Sequence, residues 1–251
     1  MGHRLLNLVI ILLLLPFTHN CSQEQRDHGR EAEKAYANLL YALHTDDQAG
    51  AVAAVELLDR RLDELRTQRF FPLQEERKDN LLYLFSHADQ DYARARKNIK
   101  AGNLEFARYD LEEAVSAVLA TNLISIRESY LGTIHDFLVS WQEAYQVIQD
   151  PTRCGLDATA QRRLFRELRN NWQQIRYVDI SPVLYTETDI DHAAFLTKRT
   201  ALTAALAKFL PLLKKEEIVG DLSVAVEQVD ERVWGLVLLF GEPEFGVLRA
   251  K

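Results

Sequence analysis

Residues 103–149 read NLEFARYDLEEAVSAVLATNLISIRESYLGTIHDFLVSWQEAYQVIQ. The apolar positions are Val115, Leu119, Leu123, Ile126, Tyr130, Ile134, Phe137, Trp141, Tyr145 and Ile148, separated by steps of 4, 4 and 3 that repeat. That period, about 3.67 residues per turn, is close to an undistorted α-helix and places every one of these side chains on a single stripe. Glu112, Arg127, Glu128 and Glu143 fall off the stripe. The stretch contains no proline, and its one glycine is Gly132. The pattern predicts one helix from 103 to 149, roughly 70 Å long at 1.5 Å per residue. A rod of that length needs apolar partners along its whole side. The fold class expected is therefore all-α: a bundle of about seven helices built around this central one.

The flanking sequence supplies the partners. A first helix is expected from Glu31 to His44, with Tyr36, Leu39, Leu40 and Leu43 at helical spacing. Thr45-Asp46-Asp47 offers caps for a second helix carrying Val52, Val55, Leu58, Leu62 and Leu65. Pro72 separates it from a third, marked by Leu81, Phe85, Ala88, Tyr92 and Ile99 and closed by Gly102. The junction Gly102-Asn103-Leu104-Glu105-Phe106-Ala107, with Leu111 and Ala114, resembles the turn and second helix of a tetratricopeptide repeat. No copy follows at the 34-residue period of that family. Asp46, Ala51, Val55 and Leu58 repeat the spacing 56 residues upstream. Both are read as tight helical hairpins.

Beyond Asp150-Pro151, a fifth helix is expected over 158–177. An irregular link then contains Pro182, and Asp189 opens a sixth helix that Pro211 ends. A final helix follows Asp221 through Val226, Val229, Val233 and Phe240. No strand alternation is present. Residues 31–251 are read as one helical domain, with a split near 151 as the alternative.

The N-terminus carries an address. Arg4 precedes an apolar run from Leu5 to Leu15, and Pro16 breaks it. The run is too short to span a hydrocarbon core, which needs about 20 residues. Residues 1–20 thus read as an export signal, with an uncleaved anchor or an ordinary secreted protein as the alternatives. Thr18-His19-Asn20-Cys21 sits where cleavage would fall and resembles the lipobox of bacterial lipoproteins, although Thr18 and Asn20 depart from its usual Leu and small residue. The resemblance covers residues 1–22 and implies that Cys21 becomes an acylated N-terminus. Residues 21–30 would then form a lipid-anchored tether. Ser22 lacks the acidic inner-membrane retention signal, which implies the outer membrane. Acylation at Cys21 leaves Cys154 without an intrachain partner; otherwise the two could pair.

The formal charge is −7, and loss of residues 1–20 removes Arg4 and makes it one unit more negative. Such a chain is a poor nucleic-acid binder, because phosphate contacts need a cationic surface. Glycine-rich phosphate loops, His-Glu-x-x-His, Cys-x-x-Cys and Gly-x-Ser-x-Gly are all absent from the sequence. No cofactor and no catalytic residue is therefore assigned, and Cys154 has no evident activating base beside it. Asp189, Asp191 and His192 are the nearest approach to a metal motif, yet they also fit a helix start. His87 with Asp91, and His135 with Asp136, are weaker versions of the same idea. The distinctive polar feature is Arg162, Arg166, Arg169 and Arg176, one stripe on the fifth helix suited to bidentate contacts with phosphate or carboxylate. It would face lipid headgroups or an acidic envelope protein, unless it pairs with the chain's own carboxylates. Trp172, Tyr177 and Tyr185 beside the irregular link could line a pocket or cover the end of a bundle. The function expected is a lipid-anchored, non-enzymatic binding module of the cell envelope. The alternative is a helical bundle that holds a metal or small cofactor.

Overall fold

A computed structural model describes residues 23–67, 78–119, 129–149, 158–181, 185, 190–214 and 221–241. Among these the chain is all-α. In order it forms α1 (Gln23–His44), α2 (Gln48–Thr67), α3 (Lys78–Ala101), α4 (Leu104–Leu119), α5 (Tyr130–Thr133), α6 (His135–Gln149), α7 (Ala158–Ile175), α8 (His192–Phe209) and α9 (Asp221–Val237). Short 3₁₀ turns at Leu212–Lys214 and Leu238–Phe240 follow α8 and α9.

The stretch 103–149 is not one rod. Helix α4 is described to Leu119, the chain bends at Ser129, and a turn at Ile134 separates α5 from α6. The cause is local. Ser129 is a cap: its Oγ accepts from the Gly132 amide at 3.2 Å, which starts a new helix instead of continuing an old one. The same hydroxyl donates to Glu33 at 2.8 Å, fixing the bend to α1. Helix α6 then opens with the Leu138 amide on the Ile134 carbonyl at 2.9 Å. Two compact units part at this point, between Gly132 and Thr133. The apolar period runs through the junction because both sides bury their stripes, Tyr130 in the first unit and Ile134, Phe137 and Trp141 in the second.

The first helix also begins earlier than expected. Helix α1 starts at Gln23, inside the segment read as a tether. Gln23, Glu24, Gln25 and Arg26 are good helix formers, and polarity alone does not break a helix.

The first unit holds α1–α4 in an up-down arrangement. Helix α1 packs on α2, α2 on α3, α3 on α4 and α4 back on α1. Its core includes Leu39, Leu43, Leu58, Leu62, Tyr92 and Ile99, all fully buried. Each such side chain contributes roughly 1.5–3 kcal/mol.

The two hairpins share one turn. After α3 the Gly102 amide bonds the Ile99 carbonyl at 3.1 Å and the Asn103 amide bonds that of Asn98 at 2.9 Å. This pair of bonds, with Gly102 at φ +78°, is a Schellman termination. After α1 the Asp46 amide meets Leu43 at 3.4 Å and the Asp47 amide meets Ala42 at 2.8 Å, with Asp46 at φ +52°. The register is again 56 residues. It extends to Ala32 and Ala88, Tyr36 and Tyr92, and Leu43 and Ile99, every one buried. Asp46 therefore accepts a left-handed backbone that Gly102 adopts without steric cost.

The second unit holds α6–α9. Helix α6 packs on α7 and α9, and α9 packs on α8. Its core includes Phe137, Trp141, Phe195, Leu202, Leu206 and Phe209. Phe137 lies against Trp172 with ring centroids 5.0 Å apart, and Trp141 meets Phe209 edge-on at 5.6 Å.

Candidate functional site

Helix α7 divides its surface cleanly. Leu164, Leu168, Trp172 and Ile175 are buried. Asn171 ties the helix to α6 by donating to the Asp136 carbonyl at 3.0 Å and to Ser140 Oγ at 3.3 Å. The opposite side carries Arg162 and Arg166, exposed, and Arg169 and Arg176, partly buried. Arg163 lies beside this row and pairs with Glu167 at 3.5 Å.

The row itself has no internal counter-charge. Among the described residues, no carboxylate comes within ion-pair reach of Arg162, Arg166 or Arg169. Among the described residues, the ion pair on this side of α7 is that of Arg163 with Glu167. Arg176, one residue past the helix, places its guanidinium 4.6 Å over the ring of Tyr177, which is 76% exposed. An aromatic face attracts a cation through its quadrupole without neutralising it. The site is thus a line of guanidinium groups ending in an exposed phenol, with several donors free for oxyanions.

The segment after α7 is strapped down. Arg199 of α8 donates to the Val178 carbonyl at 2.5 Å and lies 5.2 Å over the Phe195 ring. Asp179 sits 3.8 Å from both Arg199 and His192. This holds the end of the arginine row in place.

The other candidates fall elsewhere. Asp191, not Asp189, caps α8: its Oδ1 accepts from the Ala194 amide at 3.0 Å. Helix α8 starts at His192, so the cap is the residue just before it. Cys21, Cys154 and Asp189 lie outside the described residues. His87 is exposed, edge-on to Tyr83 at 4.5 Å, and Asp91 pairs with Arg94. His135 is buried, and burial pushes its pKa down to about 4. Among the described residues, no group of three His, Cys, Asp or Glu side chains is placed to hold a metal ion. Trp172 and Tyr185 are buried while Tyr177 is on the surface, so the three aromatics do not line one cavity.

One cluster has no counterpart in the motif search. Asp230 of α9 is buried and accepts from two indoles, Trp141 Nε1 at 2.9 Å and Trp234 Nε1 at 3.0 Å. Next along the same helices, Tyr145 donates to Glu227 at 3.2 Å and Gln149 donates to the same carboxylate. Burial and the nearby Asp230 and Glu227 push the Tyr145 phenol up to about 12. The signal was an aspartate inside an apolar run, between Val226, Val229 and Val233. A buried carboxylate that satisfies two buried N–H groups orders a core.

No family model, no curated protein and no solved structure matches this chain.

Proposed function

We propose that the protein is a lipid-anchored, non-enzymatic interaction module of the cell envelope, held in the outer membrane through an acylated Cys21. The observation that carries the interaction half is the α7 arginine row, which reaches the surface and has no counter-charge among the described residues. Leaving cations of this kind unpaired on an acidic chain contributes nothing to folding, so their use lies outside the molecule. The anchoring half rests on the leader sequence and its lipobox-like Thr18-His19-Asn20-Cys21. No described helix is long and apolar enough to cross a membrane. The start of α1 at Gln23, two residues past Cys21, leaves almost no slack between the anchor and the first helix. The partner is a membrane or an envelope protein, and not nucleic acid.

Mass spectrometry of the N-terminus of protein taken from membranes tests the anchor. A diacylglyceryl-modified Cys21 is the expected result, and Cys21→Ser should abolish that modification. A native chain that still begins at Met1, or begins unmodified at any other residue, overturns this reading.

A further inference from the structure

We infer that the arginine row of α7 is a contact surface for the phosphates of an anionic bilayer. The location rests on the envelope reading above; the chemistry rests on the row itself.

Shape separates a bilayer from a small anion. A site for a soluble phosphate or carboxylate is concave, and its donors converge. Here the donors of Arg162, Arg166 and Arg169 project from one face of a single helix, and Arg176 follows one residue past its end. From Arg162 to Arg176 is fourteen residues, or about 21 Å along the axis. A line of that length meets a sheet of headgroups along its whole run and meets one small anion at a single point. The half-exposed stems of Arg169 and Arg176 can extend their charged ends toward such a sheet while the methylenes stay on the protein.

Two further observations favour a membrane over an acidic polypeptide. Tyr177 ends the row 76% exposed, with Arg176 over its ring. A ring with an apolar body and a polar tip suits the depth of lipid headgroups. The protein as a whole is acidic, with 37 Asp and Glu against 30 Lys and Arg including the row. An anionic surface therefore repels most of the molecule and attracts this one face, which fixes orientation as well as contact. A lipid anchor would hold the row at high effective concentration near that surface, so weak individual contacts suffice.

The test uses the full protein purified from membranes and carrying Tyr177→Trp. The native tryptophans Trp141, Trp172 and Trp234 are all buried and give little background. The protein is reconstituted with vesicles of phosphatidylcholine alone or with about one-third phosphatidylglycerol. Flotation reports the anchor; quenching of Trp by brominated lipid reports the row. The expected result is flotation with both lipids and quenching with the anionic vesicles only. Replacing Arg162, Arg166 and Arg169 by Gln should weaken the docked state on the order of 100-fold, taking about fivefold per arginine near an anionic surface. High salt should do the same. Arg163→Gln, which removes a charge already paired, should do far less. Because the three arginines pair with no carboxylate among the described residues, their loss should leave the circular dichroism unchanged.

Flotation with anionic vesicles alone, lost in the triple variant, upholds the row and removes the anchor. Flotation with neither lipid overturns both. Flotation without anionic-lipid quenching overturns the row as a membrane surface. Binding of polyglutamate that depends on the same arginines, without anionic-lipid quenching, replaces the bilayer with an acidic polypeptide.

Discussion

In the first unit Arg94, Arg96 and Arg108 are bound into the fold; on α7 Arg162, Arg166 and Arg169 pair with no described carboxylate. Arg94 bridges Asp91 on its own helix and Asp110 on α4, the latter at 3.0 Å. Arg96 reaches Asp59 of α2 at 2.7 Å. Arg108 donates to the Leu43 carbonyl at 2.5 Å, at the C-terminal end of α1 where a cation is favoured. On α7, Arg162, Arg166 and Arg169 meet no carboxylate among the described residues. The count of charges does not separate the two regions. Placement does. Asp91 lies three residues before Arg94, and Asp110 and Asp59 lie on facing helices. Helix α7 has one acid, Glu167, and its spacing serves Arg163. An arginine with a positioned carboxylate is a structural part, and one without is available to a partner.

The largest expected effect tests how the second unit spends its own acid. Asp230 accepts from two indoles. Asp230→Ala leaves both buried N–H groups without that acceptor and should cost about 3 kcal/mol. Thermal unfolding followed by near-ultraviolet circular dichroism measures it, since Trp141 and Trp234 report directly. Asp230→Asn keeps an acceptor and should lose less. A cost below about 1 kcal/mol for the alanine variant would show that the cluster does not organise the unit.

Acid gives an effect of similar size. His135 has a pKa held down to about 4 by burial, which Asp136 only partly offsets. The unfolded chain takes up this proton near 6.5 and the folded chain near 4, so the unfolded state is favoured as pH falls between those values. Stability should be flat above about pH 7.5 and fall by roughly 3 kcal/mol across the window. Glu143, raised by burial and by Glu167, works in the opposite sense and reduces the net slope. Denaturant midpoints from pH 8 to pH 4 test this, with His135→Gln as the flattened control. A wild-type slope no steeper than that control refutes the burial argument.

Much of this was legible in the sequence. The all-α class, the helix faces and the α7 stripe follow from spacing alone. The broken spine was not legible, because a stripe with a period near 3.67 continues across Ser129 and Ile134 whether or not the backbone does. The clue was Ser129 three residues before Gly132, which reads as a surface serine until its hydroxyl is seen taking the Gly132 amide. The repeated hairpin was only half visible, because Asp46 stands where glycine is expected. Pairing of the arginines could not be read at all. It depends on which carboxylates face α7 across the fold, and no periodicity encodes that.

The smallest expected effect decides the comparison most directly. Asp110 holds Arg94 at 3.0 Å and Asn98 at 2.7 Å, so Asp110→Ala removes an acceptor used twice. Arg94 is half-exposed and solvent recovers part of the loss, which leaves a cost of about 1 kcal/mol. Replacing Arg162, Arg166 and Arg169 together by Gln should shift stability by no more than about 0.5 kcal/mol, because no described carboxylate pairs with them. Urea unfolding at low and high salt distinguishes the two cases. The Asp110 variant should differ from the parent more at low salt than at high salt, and the triple variant should track the parent at both. A triple variant that loses as much stability as Asp110→Ala would mean that α7's charges serve the fold after all. The contrast between the two regions, and the external role drawn from it, would then fail together.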